Sequence, residues 1–294
     1  MSFRREKFLS LAGINAHDFT IEQLKEMSRT LLKDGIHGIC FSAYDEGQEP
    51  GDQLSEAQIR RKLTILKPHI KWVRTFSCTE GNEIIPRVAH ELGIQTLVGA
   101  WLSDDLEKNA IEIQGLIDLC SEGVVDVAAV GNEVLYREEL TAEALVQYIE
   151  QVKAAVSNVP VGYVDAYYEF TSYPEVADAC EIILANCYPY WEGCSLEYSL
   201  MYMKQMYHEA LDAGKGKKVL ITETGWPSYG QSIGGAHASF ENSLRYFINA
   251  QQWSKEADID MFYFSSFDES WKIAAEGEVG ASWGLWDKNE QLKF

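Results

Sequence analysis

The chain has 294 residues, of which 46% are hydrophobic and 12% aromatic, so it can bury one large core. Its 45 acidic and 25 basic residues give a formal net charge of −20, which argues against nucleic acid and anionic membranes as partners. No window approaches the roughly 18 consecutive apolar residues of a membrane helix, and no linker-like tract divides the sequence, so we predict a single domain over residues 1–294.

A helix is predicted first, over residues 21–33, within an N-terminal extension of residues 1–35. Thr20 and Gln23 have the spacing of a capping box, and Gly35 can end the helix. We expect this helix to lie as a plug over the N-terminal ends of the strands that follow.

Eight short apolar runs come next, and segments with helical periodicity separate them. The runs are residues 38–44, 71–78, 95–102, 125–130, 161–166, 182–188, 218–222 and 260–267. Such alternation is typical of βαβ units with a parallel sheet. Eight repeats predict an α/β fold, a single (β/α)8 TIM barrel with an additional N-terminal helix, whose chemistry lies where strands reach their C-terminal ends.

The tripeptide Gly-Asn-Glu occurs twice, at residues 81–83 and 131–133. Asn82 precedes an amphipathic helical pattern, so we interpret it as an N-cap with Glu83 in the first turn. The second copy follows the fourth apolar run without a spacer. Asn132 and Glu133 are therefore predicted at the C-terminal end of the fourth strand.

The seventh run, in "KVLITETGWPS", brings Glu223 to the same end of the barrel, where it would face Glu133. Two facing carboxyl groups are the minimum equipment for cleaving a glycosidic bond, with retention at a separation of about 5 Å and inversion near 8 Å. Paired glutamates also occur in metal sites and as structural partners of arginine. The pattern alone leaves those alternatives open.

Aromatic and polar residues cluster at the predicted strand ends, where they could stack on pyranose rings and bond hydroxyl groups. Each of them alone also fits core or loop packing. In "FDESWK", Glu269 and Lys272 could bind substrate or form an ordinary salt bridge. The substrate-binding candidates are Asn132, Tyr44, Trp101, Asp165, Tyr188, Trp226, Phe267, Glu269 and Lys272. Because zinc-type histidine spacings, a GxSxG elbow, a P-loop and GxGxxG are missing, we expect no metal and no cofactor.

Five ordered motifs, "ICFSAY", "VGNEVLYR", "ETGWPSYG", "FDESWK" and "WGLWD", resemble glycoside hydrolase family 17, and their wording is nearer its fungal and bacterial branch. The resemblance implies a retaining β-1,3-glucanase or β-1,3-glucanosyltransferase on a (β/α)8 barrel. It implies that Glu133 is the acid/base, Glu223 the nucleophile, and Asn132 a ligand of the sugar 2-hydroxyl. Tyr188 would hold the nucleophile, and Glu269 and Lys272 would border the −1 sugar site. "VGYVDAYYEF" departs from the family pattern.

The expected function is therefore hydrolysis of β-1,3-glucosidic linkages in laminarin-type glucan or its oligosaccharides by a monomer. One alternative is a β-1,3-glucanosyltransferase that uses the same carboxylate pair. Others are a non-catalytic glycan-binding barrel and action on a 1,4-linked glucan or mannan. Six cysteines without a CxxC, several of them inside apolar runs, and no apolar segment of signal-peptide length after "MSFRREK" predict a cytoplasmic protein; removal of a leader would instead make it secreted or periplasmic.

Overall fold

The computed structural model describes residues 19–294, which form a closed barrel of eight parallel strands. The strands are β1 (Ile36–Cys40), β2 (Ile70–Arg74), β3 (Gln95–Ala100), β4 (Val127–Asn132), β5 (Val161–Ala166), β6 (Ile182–Asn186), β7 (Val219–Thr224) and β8 (Met261–Tyr263). Each pairs with its neighbours in chain order, and β8 closes the barrel against β1. The predicted (β/α)8 barrel is confirmed.

Helices alternate with these strands and surround the barrel. They are α1 (Ile21–Asp34), α2 (Glu56–Leu66), α3 (Ile84–Glu91), α4 (Leu106–Glu122), α5 (Ala142–Ala155), α6 (Glu169–Ser172), α7 (Pro174–Ala179), α8 (Leu196–Gly214), α9 (Phe240–Glu256) and α10 (Ile273–Glu276). Short 3₁₀ turns, Ser270–Lys272 and Gly277–Ser282, flank α10. Across residues 19–294, no helix combines the length and apolarity that crossing a membrane requires.

The additional N-terminal helix, α1, begins and ends where the sequence indicates. The Thr20 hydroxyl accepts the N–H of Gln23 at 3.3 Å, and the Gln23 side chain accepts the N–H of Thr20 at 2.8 Å. These bonds satisfy two of the N–H groups that a helix start leaves free. Gly35, with φ of +87°, ends the helix in a conformation that glycine adopts without a Cβ penalty.

The position predicted for α1, a plug over the strand starts, is wrong. Lys25, near the start of α1, lies 6.0 Å above the ring of Phe240 at the start of α9. Asp34, at its end, is 4.0 Å from Lys255 near the end of α9. The two helices therefore run parallel, side by side, and α1 occupies the place in the outer ring next to α9. Amphipathic periodicity marks a buried face, but it does not say what covers that face.

Several strands end elsewhere than the apolar runs suggest. β8 has three residues instead of the predicted eight, and β1 stops at Cys40. Beyond β8 the chain leaves the ladder, and the N–H groups of Ser265 and Ser266 bond the carbonyls of Trp283 and Cys40. Apolar residues continue there because the segment stays buried without pairing as a strand. β7 instead runs past its predicted end and includes Glu223.

Two apolar layers hold the fold together, one between strands and helices and a smaller one inside the barrel. Inside, Phe262 and Trp72 fill the space beside Gly38. A Cβ at Gly38 would lie 2.6 Å from the Phe262 ring and 3.1 Å from the Trp72 Cβ, so a larger residue would clash there. Above this packed interior, the C-terminal ends of the strands carry polar side chains.

Candidate active site

Glu133 and Glu223 both lie at the C-terminal end of the barrel. Glu223 belongs to β7, and Glu133 directly follows β4. Glu133 has φ of +51° after Gly131 at +89°, and its N–H donates to the Val164 carbonyl at 2.8 Å. A left-handed backbone at a non-glycine residue is uncommon and persists only where its surroundings hold it. The strand therefore ends in a sharply turned backbone that carries Glu133.

Glu223 is 6% exposed and accepts two short hydrogen bonds. The Arg74 guanidinium donates to Oε1 at 2.6 Å, and the Tyr188 hydroxyl donates to Oε2 at 2.6 Å. Burial, and secondly the charge of Glu223, raise the pKa of Tyr188 well above its ordinary value, so that phenol remains a donor. Each carboxylate oxygen of Glu223 thus accepts a hydrogen bond, and the bond from Arg74 is charge-assisted.

Arg74, at the end of β2, connects Glu223 to Asn132. Its other terminal nitrogen donates to Asn132 Oδ1 at 2.6 Å, and its guanidinium lies 4.3 Å from the centre of the Phe76 ring. Arg74 is 1% exposed. Sequence reasoning missed this residue, although a charged side chain inside the predicted apolar run 71–78 was a usable signal.

Replacing Arg74 by Lys should lower kcat/KM about 100-fold, because one ammonium group cannot bond Glu223 and Asn132 in the fixed geometry of the guanidinium fork. Steady-state kinetics on a laminari-oligosaccharide, the substrate class that the family resemblance implies, would measure this. Arg60→Lys is the matched control, since the ion pairs of Arg60 with Glu56 and Glu91 are exposed. Wild-type kinetics for Arg74→Lys would contradict the need for a guanidinium group that bonds Glu223 and Asn132 together.

Glu133 has a different environment from Glu223. Its Oε1 accepts from the Asn186 amide at 2.7 Å, and the Asn186 oxygen accepts from the Thr222 hydroxyl at 2.9 Å, which fixes the amide orientation. Burial, and secondly the negative charge of Glu223, raise the pKa of Glu133 from 4.5 to about 7. A carboxyl group of that pKa can give and take a proton near neutral pH.

Asn186 was also missed by sequence reasoning. It ends β6, two residues before Tyr188, which the sequence did single out. A polar side chain within the predicted run 182–188 was available as a signal, but its partner Glu133 directly follows β4, two strands away around the barrel. Only the closed barrel brings the two side chains together.

Glu269 and Lys272 form an ion pair at 2.8 Å beside these carboxylates. Glu269 also accepts from the Trp271 indole N–H at 3.1 Å, and the Lys272 ammonium lies 4.2 Å from the Phe264 ring centre. Burial raises the pKa of Glu276 in α10, a carboxyl that the charges of Lys272, Glu269 and Glu223 also reach. The salt bridge therefore exists, at the edge of the carboxylate site.

Three predicted substrate-binding residues do not reach the accessible surface: Asp165, Trp226 and Phe267 are 0%, 1% and 2% exposed. Asp165 accepts from the Tyr163 hydroxyl, and the Trp226 indole donates to the His237 carbonyl at 2.9 Å. Phe267 packs against Phe41 and Trp286. The sequence locates a strand end but not the direction of each side chain, and the contacts described for these three side chains are with protein groups.

The other aromatic candidates are at least partly accessible. Trp101 is 39% exposed, and the Arg137 guanidinium lies 4.5 Å from its ring centre. Tyr44 is half-buried and meets Trp271 edge to face at 6.1 Å. Tyr188 contacts Glu223 directly. These rings are positioned where a sugar could stack.

The first Gly-Asn-Glu copy is structural, although the N-cap prediction for Asn82 was wrong. Asn82 donates to the Thr79 carbonyl at 3.0 Å, and Glu83 itself occupies the N-cap position of α3 without a side-chain cap. The Glu83 carboxylate accepts the N–H of Gly81 at 2.8 Å. The Glu83 carboxylate thus stabilises its own turn, whereas the Glu133 carboxylate accepts a hydrogen bond from Asn186 of another strand. As for metals, within residues 19–294 no three His, Cys, Asp or Glu side chains are grouped to hold an ion.

Comparison with known proteins agrees with this geometry. Residues 38–284 match the model of the BtgE/BtgC glycoside hydrolase domain. A glucan 1,3-beta-glucosidase of Candida albicans is 30% identical over 264 residues, covering 79% of this chain and 83% of that protein. One from Schizosaccharomyces pombe is 29% identical over 250 residues, covering 78% and 77%.

A solved structure supports the same assignment. The glycoside hydrolase family 17 beta-1,3-glucanosyltransferase of Rhizomucor miehei superposes with a TM-score of 0.80 at 28% identity, covering 89% of this chain and 96% of that one. The family model spans most of the barrel, from β1 to beyond β8. The chain therefore belongs to glycoside hydrolase family 17, as a glycoside hydrolase with a BtgE/BtgC-type domain.

Proposed function

We propose that this protein hydrolyses β-1,3-glucosidic linkages of β-1,3-glucan or its oligosaccharides with retention of configuration. Glu223 is the nucleophile and Glu133 the general acid/base. The observation that carries the proposal is the contrast between the two carboxyl groups. Glu223 forms an ion pair with Arg74 and accepts from the Tyr188 hydroxyl, while burial raises the pKa of Glu133 to about 7. One ionised and one protonated carboxyl is the state in which a double displacement begins.

In the first step, a Glu223 oxygen attacks the anomeric carbon while Glu133 donates its proton to the glycosidic oxygen. The carbon–oxygen bond breaks, and the leaving sugar carries that proton away. In the second step, Glu133 removes a proton from water, whose oxygen displaces Glu223 from the anomeric carbon. Arg74 holds Asn132 in place to bond the sugar 2-hydroxyl, an interaction that strengthens in the transition state.

The names of the relatives support the 1,3 linkage. The Candida and Schizosaccharomyces proteins are glucan 1,3-beta-glucosidases, and an active-site mutant of the Rhizomucor enzyme was solved in complex with laminaritriose. Since one chain supplies both carboxyl groups and the residues that hold them, we propose that a monomer is sufficient. The formal charge of −20 suits a neutral glucan better than a polyanion.

Transfer to a sugar acceptor is the second candidate function. The similarity to a beta-1,3-glucanosyltransferase supports it. The test is incubation with a size ladder of laminari-oligosaccharides and separation of the products by length. Hydrolysis predicts that the oligosaccharides become progressively shorter. Products longer than the substrate would instead show that the enzyme transfers sugars to an acceptor. Binding without any product would contradict both, and cleavage of 1,4-linked glucan in preference would contradict the linkage.

The pH dependence follows from Glu133. Because it must be protonated to act as the acid, kcat/KM is expected to be high below pH 7 and to fall above it. In Asn186→Ala the fall should move to higher pH, since the lost amide bond favoured ionised Glu133. A pH–rate profile of both proteins would show it. A basic limb that stays fixed in the variant would contradict Glu133 as the titrating group.

A further inference from the structure

Two buried polar side chains of β5, Tyr163 and Asp165, have no part in the steps above. Both are 0% exposed. The Tyr163 hydroxyl donates to Asp165 Oδ2, and Asp165 Oδ1 accepts the N–H of Ala166 at 2.7 Å. A buried ionisable pair is costly unless it is fully bonded, so its partners indicate its use.

Those partners are the backbone on both sides of Glu133. After it, the N–H of Leu135 donates to the Tyr163 hydroxyl at 2.9 Å, and the N–H of Tyr136 donates to Asp165 Oδ2 at 3.3 Å. Before it, Gly131 lies against the Tyr163 ring, where an added Cβ would be 3.3 Å from a ring carbon. One side chain thus touches the turn at its entry and at its exit.

We propose that Tyr163 and Asp165 form a clamp that holds the left-handed turn at Glu133 and so positions the acid/base toward the glycosidic oxygen. This inference rests on the proposed function. The turn needs such support because a non-glycine residue at φ of +51° is strained, and this conformation persists only where its surroundings hold it. Tyr163 and Asp165 are positioning residues, since neither reaches the accessible surface.

The clamp also brings a charge near Glu133. The charged groups that act on Glu133 are Glu223 from β7, Asp165 from β5 and Arg74 from β2. The negative charge of Asp165 raises the pKa of Glu133 and that of Arg74 lowers it. Tyr163→Phe removes hydrogen bonds and keeps the charge, whereas Asp165→Asn also removes the charge. Comparing the two variants therefore separates the effect of the lost hydrogen bonds from the effect of the lost negative charge.

The experiment compares both variants on a laminari-oligosaccharide and on a dinitrophenyl β-laminarioside, whose leaving group departs without a proton. For Tyr163→Phe, kcat/KM on the oligosaccharide should fall roughly 10- to 100-fold and on the dinitrophenyl substrate by less than about two-fold. Asp165→Asn should show the same split and also a basic limb shifted to lower pH. Tyr246→Phe is the matched control. It removes another fully buried tyrosine hydroxyl, which is bonded to Thr224 between the strands and the helices. The kcat/KM on both substrates should stay at the wild-type value.

Hydrogen exchange gives a readout independent of turnover: the amides of Leu135 and Tyr136 should exchange faster in Tyr163→Phe than in wild type or Tyr246→Phe. An equal fall on both substrates, no fall on either, or unchanged exchange would overturn the clamp. If Tyr163→Phe does not fold, Asp165→Asn tests the clamp. The proposal then requires a larger fall in kcat/KM on the oligosaccharide than on the dinitrophenyl substrate, and a basic limb at lower pH. Wild-type enzyme that turns over neither substrate would instead contradict the proposed function, and the exchange result would still judge the clamp.

Discussion

Glu223→Gln is expected to reduce kcat/KM on laminari-oligosaccharides by at least about 10⁵-fold, because an amide cannot form the glycosyl–enzyme. Initial rates from reducing-sugar release would measure this. The loss should appear with activated and natural substrates alike, since attack on the anomeric carbon is common to both. Residual activity near wild type would remove Glu223 from the mechanism.

The choice of Gln over Ala matters because of Arg74. The Gln side chain can still accept from the guanidinium, whereas Ala leaves a 1% exposed cation without its carboxylate partner. Breaking a buried pair on one side typically costs about 3–5 kcal/mol. We therefore expect Glu223→Ala to unfold at a clearly lower temperature than Glu223→Gln, and both should be inactive.

A matched control is Glu122→Gln. Glu122 forms two hydrogen bonds of 2.7 Å with Arg87, but this pair is exposed, and Glu122 is the last residue of α4, the helix that leads into the start of β4. Its removal should change stability by less than about 1 kcal/mol and leave kcat/KM unchanged. Inactivity of this variant would show that loss of a Glu–Arg pair acts through the fold instead of through the chemistry.

Glu133→Ala should reduce turnover of laminari-oligosaccharides about 10²- to 10⁴-fold, the usual contribution of a general acid/base. With a dinitrophenyl β-laminarioside, formation of the glycosyl–enzyme needs no proton, but its hydrolysis still needs the base. The intermediate should accumulate on Glu223, where mass spectrometry of peptides can locate it. Added azide should restore turnover and yield a β-glycosyl azide.

The sequence supplies the control for this variant. Glu83 lies in an identical Gly-Asn-Glu tripeptide, but its carboxylate bonds only the N–H of Gly81 among the contacts described for it. Glu83→Ala should retain wild-type kinetics and show no response to azide. If azide fails to rescue Glu133→Ala, or yields an α-azide, the assignment of Glu133 as the acid/base on a retaining pathway is contradicted.

The sequence could predict the barrel and the positions of both carboxyl groups at strand ends. These features depend on the order of neighbouring residues along the chain. Alternating apolar runs set the strands, and Glu133 stands where one run stops. Arg74 and Asn186 could not be assigned, since their partners lie on strands that become close only when the barrel closes. The same limit applies to Asp165, whose place near the end of β5 was predicted but whose bond with Tyr163 was not.

The position of α1 shows a second limit. A capping box and an apolar stripe determine a helix, and both predictions for α1 held. Which surface that stripe covers depends on a helix far away in the chain. The family motifs could not help, because they begin after α1.

The place of α1 beside α9 also bears on how the chain acquires its structure. During synthesis α1 emerges about two hundred residues before α9, the helix against which it packs. Its buried residues, Leu24 and Leu32, have no local partner helix of that kind during this interval. β1 likewise waits for β8. The contacts that cover α1 and close the barrel therefore join segments that lie far apart in the sequence, and topologies that depend on such contacts fold slowly.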